Sequence, residues 1–217
     1  MKKFTNEYKF VEFNRMNKRI SKDMVEKKFK TVLFTSAGDK EGKTFMAINI
    51  ALNFINNTPL RMLLIDMNLR NPEIHKYFNI PKTDGVTDIL NDDMYYQDTI
   101  KQSEDYPNLY FIPSGSYNGI LAQSFTKLQS LIDNVKSQFD LIIIESSPCL
   151  VSNKNNVDPA ILSSIIDINY LVVLSRKTRK VSIIKSQELI NLAGGKINGV
   201  VMNNKYVKQN SRNISRS

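Results

Sequence analysis

One segment constrains this chain more than any other: Ala37-Gly38-Asp39-Lys40-Glu41-Gly42-Lys43-Thr44. It lies between an apolar run, TVLFTS from Thr31 to Ser36, and a stretch with helical periodicity, MAINIALNFI. That stretch places Met46, Ile50 and Phe54 on one stripe, with Ala47 and Ala51 beside it. A buried strand that runs through a small-residue loop into a long helix is the frame of a phosphate-binding loop. Small residues at 37, 38 and 42 let backbone N–H groups approach phosphate oxygens closely. Lys43 brings a fixed positive charge to the outer phosphates, the Thr44 hydroxyl offers a Mg²⁺ ligand, and the helix start adds a positive dipole end. The expected ligand is ATP with Mg²⁺. It is held by Gly38, Asp39, Lys40, Glu41, Gly42, Lys43, Thr44 and Phe45, whose N–H groups line the loop.

From Lys30 onward, strand-like and helix-like stretches alternate with short connections. The strand-like runs are 31–36, 61–66, 109–113, 141–145, 170–175 and 197–203. They are continuously apolar rather than alternating, which predicts strands covered on both faces. FTKLQSLIDNVKSQF and VSIIKSQELINLA read as helices, the second stopped by Gly194-Gly195. The expected fold is α/β: a doubly wound, mostly parallel sheet with helices on both faces.

Ligands of such sheets sit at the carboxyl ends of the strands. Asp66 and Glu145 end two of them, and either could ligate the metal or take a proton from an attacking hydroxyl. Lys43, Asp66 and Glu145 are therefore the catalytic candidates, and Thr44, Asp66 and Glu145 the metal candidates. Arg70 follows Asp66 by four residues and is expected to pair with it or to reach a phosphate. Asn71-Pro72 reads as a helix cap followed by a first-turn proline. His75, the only histidine, falls inside that helix and reads as a packing residue. Cys149 follows Ser147-Pro148 near the site, with no histidine partner to make it a nucleophile.

The chain has 217 residues and one cysteine, so it forms no internal disulfide, which suits a reducing compartment. No apolar run is long enough to span a bilayer, and MKKFTNEYKF is not a secretory leader. A cytoplasmic location is expected. The net charge of +9 is concentrated at the two ends. Its simplest reading is a solvated lysine-rich surface; polybasic ends can also touch anionic membrane, and nucleic acid is not the expected partner. Three regions are expected: a charged helix over 1–29, a nucleotide-binding domain over 30–204, and a polar tail over 205–217.

SAGDKEGKT, LLIDMNLRNPEIHKYF, GVTDIL, FDLIIIESSP, VDPAILSSIIDINYLVV and GVVMNN occur in this order. That order resembles the bacterial tyrosine kinases (BY-kinases of the CpsD and CapB type) of capsule and exopolysaccharide synthesis, within the wider group of MinD- and ParA-like ATPases. The resemblance runs from about Glu12 to Asn204. It implies ATP–Mg²⁺-dependent autophosphorylation on tyrosines, and activation by the cytoplasmic tail of a membrane protein that regulates polysaccharide chain length. It also implies recruitment to the inner face of the cell membrane, and a position near the adenine for Asn203. The family's ring-forming helix motif maps onto Glu12, Arg15 and Lys18, which stand three apart on one helical face.

Several positions depart from the family pattern. Asn68 replaces the second carboxylate of an Asp-x-Asp motif, Glu145 replaces an Asp, and Lys40 replaces a glycine. Tyr206 stands alone where a tyrosine cluster is usual. Asparagine can hold a metal or orient water but cannot accept a proton, so phosphoryl transfer is expected to be weakened. Two rivals stay open: a nucleotide-binding regulator that transfers no phosphate, and a MinD/ParA-like ATPase. The latter lacks its signature lysine, since Gly38 stands in that place.

Overall fold

The apolar runs form the strands of one sheet in a computed structural model that describes residues 7–91, 94–117, 125–151 and 156–204. The strands are β1 (Thr31–Ser36), β2 (Met62–Met67), β3 (Lys101–Gln102), β4 (Leu109–Ile112), β5 (Leu141–Ser146), β6 (Ile168–Leu174) and β7 (Gly199–Asn203). The helices are α1 (Glu7–Lys27), α2 (Lys43–Asn57), α3 (Ile74–Phe78), α4 (Val86–Leu90), α5 (Tyr96–Thr99), α6 (Phe125–Gln138), α7 (Pro159–Ser163) and α8 (Lys180–Leu192). The sheet order is β3-β4-β2-β5-β1-β6-β7, parallel throughout except that β3 runs antiparallel to β4. The expected doubly wound sheet is therefore present. The loop after β1 emerges at mid-sheet, flanked by the ends of β5 and β6, where parallel strands converge on a ligand.

Alternation along each strand divides the core in two. Val32 and Phe34 of β1 join Tyr170 and Val172 of β6 beneath Met46, Ile50 and Phe54 of α2. Leu33, Ile142 and Ile144 point the other way, against Leu131, Ile132 and Val135 of α6. Each fully buried side chain of this size contributes about 1.5–3 kcal/mol, so the two faces lock the register that carries the site. Helix α1 is docked rather than free. Phe13 and Ile20 are buried in the α2 face, and Asn53 Nδ2 of α2 donates to Asn14 Oδ1 at 3.0 Å. Glu12, Arg15 and Lys18 occupy the exposed side of the same helix.

Two local points differ from the sequence reading. The two-residue strand β3 had no sequence signal. Asn71-Pro72 does not cap α3, which starts at Ile74 after Glu73. The cap comes from the strand instead, because Asp66 Oδ2 accepts the N–H groups of Glu73 and Ile74, each at 3.2 Å. Gly194 does stop α8, at φ 86°, with the Gly195 N–H donating to the Ile190 carbonyl at 2.9 Å. The predicted tail 205–217, including Tyr206, lies outside the described residues. Among those described, no helix is long and apolar enough to cross a membrane.

Candidate functional site

The loop between β1 and α2 is held open by its own residues. Ser36 Oγ donates to the Gly38 carbonyl at 2.7 Å, and the Ala37 N–H donates to Glu41 Oε2 at 3.1 Å. Glu41 is buried, and its other oxygen accepts the Thr178 hydroxyl at 2.6 Å. Asn203 Nδ2 donates to the Glu41 carbonyl at 3.0 Å. From the β5 side, the Cys149 N–H donates to the Ser36 carbonyl at 2.8 Å. Glu41 thus serves as an internal strut that ties the loop to β1 and to the turn after β6. Gly42 has φ 100°, and a Cβ there would run into the Asn203 side chain. Lys40 also takes a left-handed conformation, φ 58°, which costs a residue with a Cβ more than it costs glycine.

Lys43 and Thr44 open α2 directly after this loop, Lys43 buried and Thr44 half-buried. Across from them, Asp66 and Glu145 are register partners on β2 and β5, and both are fully buried. The Asn68 amide donates to Glu145 Oε1 at 3.1 Å and to the Asn71 carbonyl at 3.0 Å. Burial pushes the Glu145 carboxyl well above its ordinary range, with the Asp66 charge adding to the rise; Lys43, Thr44 and Asn68 draw it back. Burial likewise pushes Asp66 up to about 7, against the pull of the N–H groups of Ile74, Asn68 and Glu73. Asp66 accepts the Asn68 N–H at 3.2 Å besides those of Glu73 and Ile74, so both its oxygens are committed to backbone.

The donor set fits a hard divalent cation. Asn68 Oδ1 and Glu145 Oε2 are buried oxygens with no protein partner, next to the Thr44 hydroxyl. Among the described residues no three His, Cys, Asp or Glu side chains form a cage. That suits Mg²⁺, which keeps waters and phosphate oxygens in its shell.

A cleft of about 820 Å³ runs from Gly42, Lys43 and Thr44 toward α3. The structure thus brings Asp39, Lys40, Gly42, Lys43, Thr44, Phe45 and Arg70 to one cavity, with Asn68 at its floor. Gly38 borders the loop, Asn203 lies on the far flank of Gly42, and Asp66 and Glu145 lie beneath. Arg70 pairs with Asp39 at 3.6 Å, not with Asp66, whose oxygens already serve the α3 cap. His75 faces the cleft with a lowered pKa, from burial first and then from Lys76 and Lys82. Burial raises the Cys149 thiol, the reverse of what a nucleophile requires. Sequence reasoning missed the Glu41–Thr178 tie, the Asn68–Glu145 bond and the Lys76–Lys82 wall. Only the Asp-x-Asn spacing after β2 could have hinted at the second of these.

The chain is similar to named bacterial tyrosine kinases. No family model matches the chain. Tyrosine-protein kinase YwqD of Bacillus subtilis is 29% identical over 86% of this chain and 77% of its own length. Tyrosine-protein kinase CpsD of Streptococcus pneumoniae is 28% identical over 86% of this chain and 81% of its own length. Among solved structures, the kinase domain of the Escherichia coli tyrosine kinase Etk superposes with a TM-score of 0.79 at 19% identity, covering 89% of this chain and 74% of that one. The resemblance to bacterial tyrosine kinases read from the motifs is borne out, and the fold is the one they share with MinD proteins.

Proposed function

We propose that the chain binds ATP–Mg²⁺ at the Ala37–Thr44 loop and transfers the γ-phosphoryl group to a tyrosine hydroxyl, as a cytoplasmic regulator of capsular or exopolysaccharide synthesis. The carrying observation is the convergence of Lys43 and Thr44 with the partnerless oxygens of Asn68 and Glu145 at the strand ends. In the reaction the tyrosine oxygen bonds to the γ-phosphorus, the bond to the ADP oxygen breaks, and the hydroxyl proton leaves to a carboxylate or to water. Lys43 and the loop N–H groups stabilise the phosphate charge. Thr44, Asn68 and Glu145 would hold Mg²⁺, which neutralises charge on the bound phosphates. Asp66, at the end of its strand, is the best candidate for taking the proton, but its backbone bonds make it first a positioning group for α3.

The resemblance further supports activation by the cytoplasmic tail of a membrane chain-length regulator, recruitment to the inner membrane face, and self-association through Glu12, Arg15 and Lys18. A second reading, a nucleotide-binding scaffold without transfer, is favoured by Asn68 and by the committed oxygens of Asp66. Purified protein incubated with ATP–Mg²⁺ and such tails separates the two. Phosphotyrosine in mass spectra supports transfer, and tight ATP binding without phosphotyrosine or ADP supports the scaffold. ADP release stimulated by lipid or DNA, again without phosphotyrosine, points to a MinD-like ATPase. Lys43→Met keeps the fold and should abolish nucleotide binding; unchanged affinity in calorimetry overturns both main readings.

A further inference from the structure

The cleft is much more cationic than a Mg²⁺-bound nucleotide requires. Beyond Lys43 it is lined by Lys40, Arg70, Lys76 and Lys82, against Asp39 and Glu73 alone. Arg70 and Asp39 neutralise each other at 3.6 Å. Among the described residues Lys40, Lys76 and Lys82 make no ion pair. The charges of Lys76 and Lys82 converge on His75, in the same wall. This wall follows β2, whereas Asn203 on β7 stands against Gly42 from the other flank of β1.

A second recess of about 360 Å³ opens on the same wall and shares Thr44, Phe45, Glu73 and Lys76 with the cleft. It is floored by Ile48 and flanked by Phe45 and Tyr77, which are 40% and 51% exposed. An apolar slot for a ring, beside the Thr44 hydroxyl and bordered by Lys76, with Lys40 and Lys82 in the adjoining cleft, suits an aromatic side chain flanked by carboxylates.

We infer that the occupant of this wall is an acidic, tyrosine-bearing segment of another protein chain. This rests on the tyrosine-transfer reading above and names its acceptor class. The chain's own segment 205–217 is a poor fit by charge: beside Tyr206 it carries Lys205, Lys208, Arg212 and Arg216 and no acidic side chain. Like charges facing one another across an interface suppress binding.

The test uses the full chain with Mg²⁺ and a non-hydrolysable ATP analogue, and follows fluorescence anisotropy of a labelled Glu-Glu-Asp-Tyr-Glu-Asp-Glu peptide. Comparison peptides have lysine for each acid, serine for the tyrosine, or the sequence of 205–217; a single-stranded oligonucleotide serves as competitor. The acidic tyrosine peptide should bind best and weaken with salt. Lys76→Gln with Lys82→Gln should weaken it about tenfold or more, and Tyr77→Ala about threefold, each a clearly larger loss than that of fluorescent-nucleotide affinity in the same variant. Equal binding of the lysine or 205–217 peptide, unchanged affinity in the lysine variant, a matching loss of nucleotide affinity, or displacement by the oligonucleotide at lower concentration each overturns the inference. Failure of the wild type to bind the fluorescent nucleotide instead overturns the transfer reading, and peptide binding without nucleotide would survive it.

Discussion

Asn68 donates its side-chain amide to Glu145 Oε1 at 3.1 Å, so the residue that stands where the motif resemblance implied a second carboxylate is bonded to the carboxylate at the end of the neighbouring strand. The bond gives a physical account of the departure. With Asp66 and Glu145 already side by side and buried, a neutral donor at 68 lets the site fold without a third negative charge. It also leaves Asn68 Oδ1 and Glu145 Oε2 buried without a protein hydrogen-bond partner.

Asn68→Asp tests this. Without nucleotide it loses the bond to Glu145 and places like charges in contact, so stability should fall by about 2 kcal/mol in urea unfolding. ATP with Mg²⁺ should recover most of that loss, and ATP turnover should rise roughly a hundredfold, at the low end of what a general base supplies. A variant as stable as wild type without nucleotide, and equally slow with it, removes Asn68 as the limiting residue.

The strands and the loop were legible because each depends on neighbours in sequence. A continuous apolar run such as Leu141 to Ile144 has no polar face to expose, and Gly42-Lys43-Thr44 fits a single steric and electrostatic task. What stayed hidden depends on chain brought from afar. Arg70 was expected on Asp66, four residues back, but Asp66 is consumed by the N–H groups of Asn68, Glu73 and Ile74, and Arg70 turns to Asp39. Asp167 is another such case: it accepts the Lys30 and Thr31 N–H groups, each at 2.9 Å, and so fixes the start of β1 from 136 residues away. The cationic wall likewise forms only when α3 folds over the loop.

Acidity provides a second test. The folded Asp66 carboxyl sits at about 7, against 3.8 in a model carboxyl, because burial outweighs its backbone hydrogen bonds. A raised folded pKa means that the native state holds a proton the unfolded chain has released. The associated stability is complete below the unfolded value and lost as pH rises through about 7, at up to about 1.4 kcal/mol per pH unit. Urea unfolding of the nucleotide-free protein should therefore give a lower midpoint at about pH 8 than at about pH 5.5, and Asp66→Asn should reduce that difference, leaving the part that comes from the buried Glu145 carboxyl. A midpoint that rises over this interval, with the same slope in the variant, contradicts the assignment.

The strut inside the loop gives a third. Thr178 lies in the turn after β6 and reaches the loop only through its hydroxyl to Glu41 Oε1 at 2.6 Å. The same hydroxyl accepts the Leu174 N–H at 2.8 Å. Thr178→Val should cost about 1–3 kcal/mol by leaving a buried carboxylate oxygen and an N–H unpaired, and loosen the loop enough to weaken ATP binding several-fold. Thr178→Ser, which keeps the hydroxyl, should restore both. Calorimetry showing the same ATP affinity in the valine and serine variants would mean that the loop holds its shape without this tie.

Self-association is the last test, and α1 supplies its logic. Phe13 and Ile20 anchor one side of the helix to α2, so the opposite side is presented in a fixed orientation. On that side Arg15 Nη1 meets Glu12 Oε1 at 2.7 Å, with the two side chains 71% and 70% exposed. An exposed pair of this kind contributes only about 0–1 kcal/mol to its own helix. Both groups can therefore exchange each other for partners on a neighbouring copy at little cost, and Lys18 extends the same face by one turn. Arg15→Glu should leave the thermal midpoint nearly unchanged while lowering the mass measured by light scattering across a concentration series. Reversing the partner, Glu12→Arg combined with Arg15→Glu, should recover part of the lost mass if the two residues meet across the interface. A wild-type protein that stays monomeric at every concentration, with or without ATP and Mg²⁺, would remove this face as an assembly surface.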